Sequence, residues 1–221
     1  MIQIIGDIHE KPSTVRAFIA ERPDVDKRIF LGDFFDDFTS TPQRVKDTIE
    51  LIYDLKKDER NILLMGNHDC HYAYPFGFCS GWKRSTQETL NLHPNLFEGF
   101  YLSYEYDGRV YSHAGWAKEY LDEDLLTFKA PKEYNKVPQV FRFIGWSRGG
   151  TVGVGGPLWL DWRNEFKVIK GVSQVVGHTP VGPDWKGNNW NLDSHLKGYG
   201  IIEKIENGPD LCTYHRGKNE V

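Results

Sequence analysis

Residues 2–33 read IQIIGDIHEKPSTVRAFIAERPDVDKRIFLGD. Two apolar runs, each closed by Gly-Asp, bracket a stretch in which Val15, Phe18 and Ile19 share one helical face. The pattern predicts a buried strand over Ile2–Asp7, a helix over Pro12–Glu21 and a second buried strand over Arg28–Asp33. Pro12 sits at the helix start, where its missing N–H costs nothing. The same order then repeats. Val45, Ile49, Ile52 and Leu55 recur every three or four residues and predict an amphipathic helix over Pro42–Lys57, and NILLMGNHD (61–69) reads as a third strand. Successive strand–helix units imply parallel strands joined by right-handed crossovers.

The second half changes character. YLSYEYDGRVYSHAG (101–115) alternates around Asp107-Gly108, a hairpin turn signal. VSQVVGHTP (172–180) reads as another strand ending in polar residues, and residues 198–216 as a closing hairpin around Asn207-Gly208-Pro209. The expected fold is α/β: two stacked mixed β-sheets flanked by helices, in a single domain over residues 1–221. Residues 122–156 are the least periodic and include GGTVGVGG (149–156), read here as a flexible loop or partial lid. That run lacks the Gly-Lys-Ser/Thr of a P-loop.

Bulk composition narrows the function. The chain has 221 residues, 39% of them hydrophobic, and a net charge of -4, so no overall basic footprint points to nucleic acid. No apolar run is long enough to span a membrane. The odd count of 3 cysteines (Cys70, Cys79, Cys212) argues against a disulfide framework, and Cys70, His71 and Cys79 are spaced too widely for a zinc knuckle. Strand-forming residues at the very start leave no signal peptide, so a cytoplasmic location is expected.

Apolar strands ending in polar clusters carry the chemistry: Gly6-Asp7-Ile8-His9, Gly32-Asp33-Phe34-Phe35-Asp36, Gly66-Asn67-His68-Asp69, Ser112-His113-Ala114-Gly115 and Gly177-His178-Thr179-Pro180. Parallel strands gather their carboxyl ends along one edge, so such clusters converge on one crevice. Singly, each is an ordinary turn. Together they present carboxylate oxygen and imidazole nitrogen without thiolate, a donor set for manganese, iron, zinc or related divalent ions. A carboxylate can also bridge two ions.

The ordered set GD-x-H, GD-x-x-D, GNH-D/E, H-x-G and GH resembles the calcineurin-like metallophosphoesterases. Pro180 stands where some branches carry a second His, which is similar to the phosphoprotein phosphatase branch and its small bacterial and phage lambda-type members. The resemblance runs from Asp7 to about Asp193. It implies a two-sheet sandwich and two divalent metal ions, manganese first, with iron, zinc, nickel or magnesium as options. Asp7 and His9 would bind the first ion, Asp33 would bridge, and Asn67, His113 and His178 would bind the second. A bridging hydroxide would attack phosphorus, His68 would protonate the leaving oxygen, and Asp36 would orient His68. Asp69 would be structural.

Two positions depart from that pattern. Asp37 replaces an Arg expected to clamp phosphate, and Glu10 replaces a Gly. Arg163, Arg148 and Arg142 are the candidates to supply the missing guanidinium. The aromatic loop HYAYPFGFCSGW (71–82), with Trp185 and Trp190, either packs locally or forms a wall that stacks a base. The expected function is hydrolysis of phosphomonoesters, on a phosphoprotein or a small phosphoester. The alternatives are a nucleotide, dinucleoside polyphosphate or phosphodiester hydrolase, and a silent scaffold, against which the intact ligand set argues.

Overall fold

A computed structural model describes residues 1–75, 77, 79–205 and 208–217. The chain runs β1 (Ile2–Ile5), α1 (Pro12–Glu21), β2 (Lys27–Phe30), α2 (Pro42–Leu55), β3 (Asn61–Leu63), α3 (Asn67–Ala73), α4 (Arg84–Leu90), β4 (Tyr101–Tyr106), β5 (Arg109–Ser112), β6 (Phe128–Lys129), β7 (Ser173–Val176), β8 (Asp184–Lys186), β9 (Asn189–Asn191), β10 (Gly198–Glu203) and β11 (Leu211–Arg216). One sheet has the order β11-β10-β1-β2-β3, the other β6-β4-β5-β7-β9-β8. β1, β2 and β3 are parallel, as are β5, β7 and β9. Both sheets are therefore mixed, and the expected α/β sandwich is what forms.

Alternation along β1 builds the layers. Ile2 and Ile4 enter an apolar cluster with Tyr111, Val175 and Trp190 of the other sheet. Ile5 turns the other way, into a cluster with Phe18 of α1 and Ile49 and Ile52 of α2. Gln3 also points outward, and its amide donates to Phe18 O at 2.8 Å, so the buried polar group is satisfied. Both helices begin with Pro at their first turn. Thr41 caps α2 by accepting from Arg44 N at 3.3 Å.

The predicted β4–β5 hairpin forms, with Asp107 at φ 56 and Gly108 at φ 70, the left-handed pair of a type I′ turn. β10 and β11 also pair antiparallel, but Asn207 of their connection lies outside the described residues. Phe76 and Phe78 of the aromatic loop lie outside them too.

One prediction needs correction. The third strand stops at Leu63, and residues 67–69, read as its polar end, open a helix over Asn67–Ala73 that also takes in the start of the aromatic loop. Its signal was Asp69 at the third helical position, whose Oδ2 accepts from Gly66 N at 2.9 Å. Between β3 and α3 the chain changes sheets: Leu64 N donates to Phe30 O and Met65 N to Tyr101 O, both at 2.9 Å.

Residues 122–156 contain β6 and a series of short 3-10 turns. Val137 and Phe141 anchor them in the core. Gly150, Gly155 and Gly156 pack closely, and a Cβ on Gly156 would lie 1.8 Å from Val140 O, whereas Gly149 and Gly153 face open space. No described helix is long and apolar enough to cross a membrane.

Candidate metal centre

The polar clusters meet where the parallel strands end. Asp7 and His9 follow β1, Asp33 and Asp36 follow β2, Asn67 and His68 open α3 after β3, His113 follows β5 and His178 follows β7. Except for the fully buried His113, all of them line one cavity of about 790 Å³.

Asp33 lies at its centre. Its Oδ1 accepts from His68 N at 3.0 Å. Its Oδ2 faces both ways, 3.8 Å from His9 Nε2 and 3.3 Å from His113 Nε2. Asp7, His9 and Asp33 form one group of ligand atoms within 4.8 Å of one another, and Asp33, His113 and His178 form a second. The carboxylate common to both sits where a bridging ligand would.

The imidazole tautomers follow from their partners. His113 Nδ1 lies 2.8 Å from Leu31 O and His9 Nδ1 lies 3.0 Å from Phe35 O. A carbonyl only accepts, so both Nδ1 atoms carry protons and both Nε2 atoms are left to bind. His113 Nε2 lies 2.9 Å from Asn67 Oδ1, 3.1 Å from His178 Nδ1 and 3.3 Å from Asp33 Oδ2. Even when protonated, Nε2 has a single N–H and cannot serve these neighbours together; with Nε2 unprotonated, a cation among them would satisfy all. The donor set thus fits a divalent ion at each group.

The electrostatics agree. Burial, then Asp193 and Asp33, push the Asp7 carboxyl well above its usual range. Burial also raises Asp33, but His113, His68 and His9 outweigh it and hold the group well below that range. Burial lowers His113, yet Asp33 and Asp7 drive it up to about 10. Burial, with His113 and Arg148, pulls His178 well down.

Backbone geometry holds these groups in place. Of the eight described non-glycine residues with positive φ, five (His9, Asp33, Asp36, His178 and His195) line the cavity. A Cβ on Gly66 would lie 2.0 Å from Asp33 Oδ1, and one on Gly177 2.1 Å from Asp7 Oδ1. His178 N donates to both Asp7 oxygens, at 3.1 and 3.0 Å. Glu10, the departure from Gly, adopts φ 54, which explains why Gly suits that position.

His68 Nδ1 lies 2.9 Å from Asp36 Oδ2. Burial lowers the His68 pKa, but Asp33 and Asp36 reverse the sign and raise it overall. Sequence reasoning missed two further partners of Asp36. His71 Nδ1 accepts from Cys79 N at 3.0 Å, so its proton is on Nε2, 2.7 Å from Asp36 Oδ2. Tyr72 OH donates to Asp36 Oδ1. Their positions one turn into α3 were the available signal. Asp69 accepts from Gly66 N and from Phe34 N at 2.8 Å, tying α3 to the β2 loop.

The remaining candidates divide. Asp37 is neutralised by Arg44 of α2, 2.6 Å away, and binds Thr39 through its other oxygen. Arg148 reaches the cavity, donating to Thr179 Oγ1 at 2.7 Å and lying 3.1 Å from Asp161. Arg163 is not among the lining residues: it is exposed and donates to Pro180 O at 2.8 Å. Arg142 donates to the Tyr134 and Val137 carbonyls and lies over the Tyr134 ring. Trp185 and Trp190 stack on each other, and Trp190 belongs to the inter-sheet core, so neither walls the site. Phe38, 86% exposed, and Trp159, edge-on to His178, line it instead. Asp193, delivered by β9, is also a lining residue.

The sequence profile described as calcineurin-like phosphoesterase matches residues 2–182. The chain is 29% identical over 210 residues to the asymmetrical bis(5'-nucleosyl)-tetraphosphatase PrpE of Geobacillus sp. strain WCH70, covering 81% of this chain and 79% of that one. A crystal structure of a mutant cold-active protein tyrosine phosphatase superposes with a TM-score of 0.62 at 16% identity, over 98% of this chain and 80% of that one. At that identity the likeness concerns the fold.

Proposed function

The chain belongs to the calcineurin-like phosphoesterases and is a metal-dependent phosphatase, and from that premise we propose that it hydrolyses phosphomonoesters with a pair of divalent ions held around Asp33. The observation that carries this reading is the single Asp33 oxygen facing both donor groups. Asp7, His9 and Asp33 would hold one ion; Asp33, Asn67, His113 and His178 the other. When bound, such ions supply positive charge for phosphate oxygens and acidify water.

The chain's own residues do the rest. His68 keeps a proton on Nδ1 against Asp36 and turns its other nitrogen to the substrate, where it protonates the leaving oxygen. Asp36, ionised and held from three sides, keeps that ring oriented and charged. Arg148, positioned by Thr179 and Asp161, is the guanidinium within reach of a phosphate; Arg163 serves Pro180. Asp37 does not repel the substrate because Arg44 neutralises it.

Manganese suits the oxygen-and-nitrogen donor set. Residues 1–221 form one domain in this reading, with residues 122–156 as a partial lid, because Ile144, Arg148 and Gly149 reach the cavity. The free thiols of Cys70, Cys79 and Cys212 favour the cytoplasm.

A second reading, hydrolysis of a nucleoside polyphosphate, draws on the named relative and on the Phe38 and Trp159 rings at the cavity. Metal stripping followed by add-back of manganese, nickel, zinc or magnesium separates the two readings. Restored turnover of p-nitrophenyl phosphate over bis-p-nitrophenyl phosphate and a dinucleoside tetraphosphate supports the first. Preference for the tetraphosphate supports the second. Asp33→Asn should lower bound metal by elemental analysis as well as turnover; a variant that retains its full metal content removes Asp33 as the bridge.

A further inference from the structure

Beside the catalytic cavity lies a second concavity of about 350 Å³, with a wall of opposite charge. The first is lined by Asp7, Asp33, Asp36, Asp37 and Asp193. The second is lined by His195, Lys197 and Arg216, with Ser194 and Tyr214 beneath them, and no carboxylate lines it. His195 lines both, so the two cavities share a wall. Lys197 and Arg216 are exposed, and neither is tied to a carboxylate among the described residues, whereas Arg44, Arg148 and Arg60 all are. The floor is ordered: Tyr214 OH donates to Ser194 Oγ at 2.7 Å, and Gly217 N donates to Lys197 O at 3.0 Å. Lys11 Nζ donates to His195 O at 3.1 Å, which adds another positive charge at the shared wall.

The separation of the two sites along the backbone is bounded by the chain itself. Lys197 follows Asp193 by four residues, so their Cα atoms stand no more than roughly 14 Å apart. A substrate with one phosphate on the metal centre and nothing beyond it would leave this basic pocket unused.

We propose that His195, Lys197 and Arg216 form a second anion subsite that binds a further phosphate group of the same substrate. This deepens the second functional reading above, hydrolysis of a nucleoside polyphosphate, and rests on it: the preferred substrate carries at least two phosphate groups, as a polyphosphate chain does, and the pocket discriminates it from a simple monoester. Charge-assisted hydrogen bonds from a Lys and an Arg are the interactions that recognise such a group.

The test uses Lys197→Ala/Arg216→Ala and, as a second pair, Lys197→Gln/Arg216→Gln, with saturating manganese. The probes are p-nitrophenyl phosphate and a dinucleoside tetraphosphate, the latter read as KM or, where it is not turned over, as Ki against the former. Both pairs should leave kcat/KM for p-nitrophenyl phosphate within about twofold of the unaltered protein and raise the tetraphosphate constant at least tenfold. An unchanged tetraphosphate constant overturns the subsite, and so does an equal loss on both probes, which would mean damage to the catalytic cavity. If the unaltered protein turns over neither probe, the functional reading fails instead. Equilibrium dialysis of labelled tetraphosphate against both forms then still reads the pocket: weaker binding to the variants supports it, and equal binding overturns it.

Discussion

At the scale of single residues, the centre works by over-determining a few side chains. Asp36 shows this best. Its Oδ2 is shared between His68 and His71, and its Oδ1 takes the Tyr72 hydroxyl. His71 is itself fixed by Cys79 N and Tyr72 OH by Lys83 N. His71 and Tyr72 therefore act through Asp36 as positioning residues. His71→Asn with Tyr72→Phe should cut kcat about tenfold on alkyl phosphates, whose leaving oxygen needs a proton. The same variant should lose far less on aryl phosphates and keep its metal content. Equal losses on both ester classes would mean that the pair merely supports the fold.

The convergence of the candidate ligands was legible in the sequence because their clusters follow apolar runs that end in glycine or serine. His71 and Tyr72 were not, since their role depends on α3 turning them back toward β2, and residues 71–82 read as an aromatic loop. The sequence ranks Arg163 ahead of Arg148, whereas Arg148 is the one that lines the cavity, for the same kind of reason. A loop arginine's reach is set by tertiary contacts such as Thr179 and Pro180, which leave no periodic trace.

At the scale of elements, the periodic helices α1 and α2 were read most closely. α1 spans the expected residues, and α2 ends two residues before the expected Lys57. Both owe this to a proline at the start and to apolar spacing. α3 has seven residues and a mixed composition, so periodicity had little to act on. α2 is also the element that covers β2 and β3, through Val45, Ile49, Ile52 and Leu55. Ile52 is fully buried. Ile52→Ala should destabilise the protein by about 2–5 kcal/mol in a urea titration, through lost transfer energy and the cavity left behind. A midpoint shifted by less than about 1 kcal/mol would show that the sheet face can close over the gap.

At the scale of the whole molecule, the sandwich brings together acids that repel one another. Asp7, Asp33 and Asp193 are all buried, and burial, Asp193 and Asp33 together push the Asp7 carboxyl well above its usual range. Ions that bind only the folded chain should therefore raise its melting temperature. At a free concentration near 100 times the dissociation constant the gain is about 2.7 kcal/mol. Thermal melts with EDTA and with manganese check this, and Asp33→Asn should flatten the response. An identical melt in both buffers would show that the folded chain gains nothing from the ions.

The change of sheets between β3 and α3 bears on how the protein is made. Asp7, His9, Asp33 and Asn67 come from the half synthesised first, whereas His113 and His178 come from strands of the other sheet. A nascent chain arrested before residue 178 leaves the ribosome lacks part of the proposed second ligand set, however well its first strands have paired. On the proposed ligand set metal loading should come late in biogenesis, and manganese-dependent protease resistance on stalled ribosomes should appear only with arrest sites well past His178.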